Sequence, residues 1–228
     1  MYIRVSMKNP ALANAYKNLN ARHYVLYVDE TFNRPEEQLD YSFYMVCGVL
    51  INAAHIEVTR EEIDEIVEGN YWHTTEALQT GEGQEKTEEL LKYCKQVRDQ
   101  HIFASKRDIA SQNEDVKAAF NEARKDCLQV LLATVQKHHP DTRLVIIEKR
   151  QTNTENDADR RLVKTLRSEK VISRHTQLIH ASPKDEHLLW LPDLSAMVYR
   201  RSRTHRDETS HYFERFLQDI ARVVDLNK

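Results

Sequence analysis

The chain has 228 residues, 33 Lys and Arg against 36 Asp and Glu, and a formal net charge of -3, enough for one large domain with a full hydrophobic core. Four glycines and five prolines argue against glycine-rich phosphate loops and long disordered linkers, and no apolar run approaches the roughly 20 residues that span a bilayer. Cys47, Cys94 and Cys127 are widely spaced, form no metal pattern, and read as reduced core residues of a cytoplasmic protein without a signal peptide.

In chain order, Asn9-Pro10 starts a short helix through Leu12, Ala15 and Leu19. Tyr24 to Asp29 is a strand of β-branched and aromatic residues ending in two carboxylates, Asp29 and Glu30. Its apolarity predicts cover on both faces, and charge at its end calls for a partner. A polar connection follows from Thr31 to Asp40, then a second strand from Tyr41 to Ile51. The short connection predicts an antiparallel pair.

Thr59 and Glu62 fit a capping box opening a helix whose acidic side faces solvent. Gly69 to Gly83 reads as irregular, the best candidate for a lid or insertion, and Glu85 to Gln100 as helical. His101 to Ser105 is a short strand, and Asp115 to His138 a long helix stopped by Pro140. Arg143 to Glu148 repeats the apolar strand ending in an acid. A basic helix is expected over Ala158–Glu169, with Asp157 and Asp159 at its start, then a strand over Gln177–Ala181, a helix over His187–Arg201, and a C-terminal helix over Ser210–Leu226 within 207–228.

Tyr27-Val28-Asp29-Glu30, Ile146-Ile147-Glu148-Lys149-Arg150 and Leu189-Trp190-Leu191-Pro192-Asp193-Leu194 together resemble the three signatures of the domain-of-unknown-function 3800 family: a strand ending Asp-Glu-Ser/Thr, a later strand with an acid near arginine, and a C-terminal helix carrying Asp-Leu. The resemblance spans roughly Tyr24 to Arg203. Thr31-Phe32 stands where many members have Ser-Gly, and His101–Ser105 matches a family strand only loosely. It implies an RNase H-like fold, and the chain as a whole reads as a single α/β domain, a mixed sheet flanked by helices with a helical insertion over 59–100. It also implies a metal-dependent nuclease. Asp29, Glu148 and Asp193 would hold two Mg²⁺ or Mn²⁺ ions, hard cations suited to oxygen donors, with Glu30 as a supporting or alternative ligand. Asp185 is a weaker candidate ligand. Alternation along a strand points Asp29 and Glu30 to opposite faces.

Between Arg143 and Arg206 there are 14 Lys and Arg against 8 Asp and Glu, an excess that fits a polyanion footprint or simply solvated helix faces. Lys149, Arg150, Arg200, Arg201 and Arg203 are the candidates for contacting nucleic acid. Each acid also has a purely structural reading: Asp29 and Glu30 as strand-end charges at a turn, Glu148 as an ion-pair partner of nearby arginines, and Asp193 as a first-turn acid favoured by the helix dipole. Two further readings stay open on the same fold: a non-catalytic nucleic-acid or partner module, and a homo-oligomer contacting through Tyr71 and Trp72. The histidines have no zinc spacing, and neither a nucleophile elbow nor a Walker pattern is present.

Overall fold

The computed structural model describes residues 9–34, 42–109 and 115–227. The polar lead-in before residue 9 and most of the connection expected after Thr31 lie outside the described residues. The strands are β1 (Tyr24–Asn33), β2 (Phe43–Asn52), β3 (Gln100–Arg107), β4 (Thr142–Glu148), β5 (Gln177–Ala181) and β6 (Ala221–Asp225). They form one mixed sheet in the order β5-β4-β1-β2-β3-β6. The β1–β2 and β2–β3 pairs are antiparallel, whereas β4 runs parallel to β1, β5 to β4 and β6 to β3. The expected mixed α/β sheet flanked by helices is therefore what the chain forms, and β1 lies at its centre.

Alternation along β1 splits the interior into two cores. Val25 and Tyr27 face one side with Leu144 and Ile146 of β4, while Leu26 and Val28 face the other with Val145 and Ile147. The first side is covered by α1 (Pro10–Lys17), α2 (Ile56–Val67), α4 (Gly81–Val97) and α7 (Trp190–Thr204); the second is covered by α5 (Val116–His138) and α6 (Asn153–Ser168). Close approach on the second side depends on Gly48 of β2. A Cβ built there would lie 2.8 Å from Leu26 Cδ1 and 3.2 Å from Leu131 Cδ1, and both leucines are fully buried. Gly48→Val is expected to cost roughly 1–3 kcal/mol by overpacking, read as a lower urea midpoint.

Several boundaries differ from expectation. Helix α2 starts at Ile56, so Thr59 is a buried side chain inside the helix and no cap; burying Ile56 against the core outweighs the local Thr-x-x-Glu signal. The comparable signal operates at α6 instead. Thr152 Oγ1 accepts from Glu155 N at 3.3 Å and donates to Glu155 Oε2 at 2.8 Å, so α6 begins five residues before the expected Ala158 and Asp157 and Asp159 sit within it. The helical 59–100 region packs into the main core, because Ile63, Leu90, Leu91 and Cys94 belong to the same core as Tyr27.

The expected C-terminal helix is overturned. Residues 208–220 form short 3-10 and π-type turns, and Ala221–Asp225 adds β6 beside β3. The edge of β3 offers unpaired backbone groups, and the adjacent valines of Ala-Arg-Val-Val-Asp suit a strand. Trp72 is buried, with its Nε1 donating to Thr74 Oγ1 at 3.0 Å, which removes it as an exposed oligomer contact. Tyr71 alone of that pair is exposed.

Candidate functional site

Strand parity assembles the centre of the site. Tyr27 of β1 lies beside Ile146 of β4 in parallel register, and the next residues on that face are Asp29 and Glu148. The two carboxyl groups interact with each other, and the negative charge of Glu148 raises Asp29. The third acid comes from α7, which crosses β1 and β2 on the same side of the sheet. Its first turn is apolar except at Asp193: Trp190, Leu191, Pro192 and Leu194 are all buried. Burying those neighbours places Asp193 over the strand ends.

The electrostatics record the convergence. The carboxyl of Asp29 is held well above the ordinary carboxylate range, first by burial and then by the negative charges of Asp193 and Glu148, with Arg124 opposing. Glu148 is raised by burial and by Asp193, with His73 opposing. Burial likewise raises Asp193, while hydrogen bonds from Thr74 and the nearby His73 pull it down. Three carboxyls are thus gathered where their joint ionisation is costly without a cation.

The segment read as an irregular lid supplies the contacts that sequence reasoning missed. Helix α3 (Thr74–Ala77) begins at a buried threonine whose backbone N–H and hydroxyl both donate to Asp193 Oδ2, at 2.9 and 2.8 Å. His73 stands just before it. Tyr71 has its hydroxyl on Glu76 at 3.2 Å, and Lys184 Nζ lies 5.9 Å from its ring centroid. Threonine followed by threonine in a polar stretch carries no distinguishing signal. Only the fold shows which acid it meets.

Glu30 stands apart from this trio. As alternation demands, it points to the opposite side of the sheet, where it pairs with Arg124 and lies 3.9 Å from Arg150. Arg124 also grips Asp159, with Nε at 3.2 Å from Oδ1 and Nη2 at 2.9 Å from Oδ2, and His180 Nε2 is 3.1 Å from the same Oδ2. The expected supporting role of Glu30 at the metal site is therefore corrected: its charge is answered by arginine beneath α5. Asp185 lies in the turn before α7, its backbone N–H donating to Ser182 O at 2.8 Å.

The basic candidates do not gather into one patch. Lys149 is exposed at the end of β4, and Arg150 turns back to Glu155 at 3.0 Å. On α7, Arg201 holds Asp207 at 2.7 Å and also bonds Thr209, whereas Arg203 lies over the Tyr199 ring at 5.2 Å. Arg200 is partly exposed two turns beyond Asp193. Among the described residues, no group of three or more His, Cys, Asp or Glu side chains is arranged to hold a metal ion. In the acid trio, one oxygen of Asp193 is engaged by Thr74. The donor chemistry nevertheless fits a hard divalent ion, being oxygen throughout and short of positive charge.

No protein-family model matches the chain, and no curated protein matches its sequence. Among solved structures it is similar to the crystal structure of Bst-RNase HIII in complex with Mn2+, at 10% identity, over 89% of this chain and 61% of that chain, with a TM-score of 0.47. The chain therefore spans less than two thirds of that structure's length. No helix among the described residues is long and apolar enough to cross a membrane.

Proposed function

We propose that the protein is a divalent-metal-dependent nuclease of RNase H-like type that hydrolyses phosphodiester bonds of DNA or RNA, as its resemblance to the domain-of-unknown-function 3800 family implies. The observation that carries this reading is the meeting of Asp29, Glu148 and Asp193, from two parallel strand ends and one crossing helix, with all three carboxyls raised by burial and those of Asp29 and Glu148 raised further by acidic neighbours. A purely structural role does not account for three acids placed together at an edge of the core, because each would be stabler apart.

Asp29, Glu148 and Asp193 would hold Mg²⁺ or Mn²⁺, which when bound activates water and stabilises the leaving oxygen of a phosphodiester. Both other acids act on the carboxyl of Asp29. Thr74 holds one oxygen of Asp193 in place. The apolar neighbours of α7 keep bulk water from the floor of the site, which strengthens its electrostatic interactions. Lys149, exposed next to Glu148 in the chain, would meet a substrate phosphate in this reading.

The test is incubation of single-stranded, double-stranded and hybrid substrates with Mg²⁺ or Mn²⁺. Cleavage is expected with metal and not with EDTA. Metal-independent cleavage, or none on any substrate, rejects the reading. The alternative of a non-catalytic nucleic-acid module needs an open basic face. That face is weakened by the engagement of Arg150 and Arg201 with internal carboxylates.

A further inference from the structure

Asp193 reaches the other two acids from a helix, so its carboxylate must be fixed by something outside the sheet. Among the described residues, the segment around Thr74 does this. Thr74 directs two donors at a single oxygen, Oδ2, at 2.9 Å from the backbone and 2.8 Å from the hydroxyl. A threonine hydroxyl has one proton and rotates to suit its surroundings. Here Trp72 Nε1 donates to that oxygen at 3.0 Å, so the lone pair faces the indole and the proton is directed to Asp193. Both Trp72 and Thr74 are buried, which shields the chain of bonds from competing water.

We propose that Thr74 is the positioning residue of the site: with its hydroxyl oriented by Trp72, it fixes Asp193 so that Oδ1 is the oxygen presented to a divalent ion shared with Asp29 and Glu148. The inference rests on the nuclease reading and deepens it, assigning the 69–80 segment a part in metal binding. Partners that orient a ligand in this way typically alter metal affinity 10–100-fold when removed.

The experiment is calorimetric titration of the full chain with Mn²⁺ alone, beside cleavage measurements. Thr74→Val keeps the backbone donor and the side-chain shape but loses the hydroxyl. It is expected to weaken Mn²⁺ binding about 10-fold or more. Thr74→Ser retains both donors and is expected to bind within about 3-fold of the parent, a rescue that loss of packing alone would not produce. Trp72→Phe retains an aromatic ring without the indole donor and is expected to weaken binding several-fold, which keeps the proposal testable should the valine variant fail to fold. Parent-like Mn²⁺ affinity in folded Thr74→Val or Trp72→Phe, while Asp29→Asn binds none, overturns the positioning role and leaves the metal site standing. Absence of Mn²⁺ binding by the parent chain overturns both.

Discussion

Asp29→Asn is expected to abolish metal-dependent cleavage, by on the order of 1,000-fold or more, and at the same time to raise the unfolding midpoint in metal-free buffer. The two effects have one cause. The carboxyl of Asp29 is pushed up by burial and then by the charges of Asp193 and Glu148. A group whose folded pKa is raised keeps its proton where the unfolded chain has lost it. The folded state then binds more protons, so stability falls as pH rises from the ordinary carboxylate range toward the raised folded value. Asparagine carries no charge at any pH and removes that slope together with the cost of ionising a buried carboxyl beside Asp193 and Glu148. A gain of about 1 kcal/mol near neutral pH is expected, or roughly 2–4 °C for a chain of this size. Mn²⁺ reverses the order, because saturating the parent site at about 100 times its Kd adds roughly 2.7 kcal/mol and Asp29→Asn has no site to saturate. Differential scanning calorimetry with EDTA and with Mn²⁺ reads both halves. An unchanged midpoint in EDTA would show that the three acids do not burden the fold, and a Mn²⁺ shift retained by the variant would place the metal elsewhere.

The acids at β1 and β4 were legible because two local rules act together there. An apolar run ending in a carboxylate marks a strand end, and alternation sorts Asp29 from Glu30 before any coordinate is known. The same rule applied to Leu144-Val145-Ile146-Ile147-Glu148 puts Glu148 on the face of Ile146. Asp193 was legible as an acid among apolar helix neighbours. What lay beyond reach was set by contacts distant in sequence. Thr74 meets Asp193 across 119 positions, and Asp159 looks like an ordinary helix-start acid until Arg124 and His180 close on it. The C-terminal segment failed for another reason: its valines suit either an amphipathic helix or a strand, and the open edge of β3 decided between them.

The largest stability effect is expected on the far side of the sheet. Arg124 is 5% exposed and is shared by Asp159 and Glu30. Arg124→Ala would leave both carboxylates beneath α5 without their main cation and would open a space between α5 and α6. Removing one partner of a buried ion pair costs about 3–5 kcal/mol, so a midpoint lower by roughly 10 °C is expected. Adding Asp159→Leu and Glu30→Gln to Arg124→Met should recover much of that loss, since apolar replacements relieve the buried charges together. Urea unfolding of the single and triple variants separates the two terms; equal destabilisation by both would mean that arginine acts by packing alone. The site on the opposite face should respond as well. Arg124 is the cation that lowers the carboxyl of Asp29 against burial and its acidic neighbours, so its loss leaves Asp29 harder to ionise. The acidic limb of the cleavage profile should therefore move to higher pH in the triple variant, which keeps the fold while lacking the charge. Were that limb to stay in place, the two faces of β1 would be electrostatically independent, and Arg124 would serve only the core beneath α5.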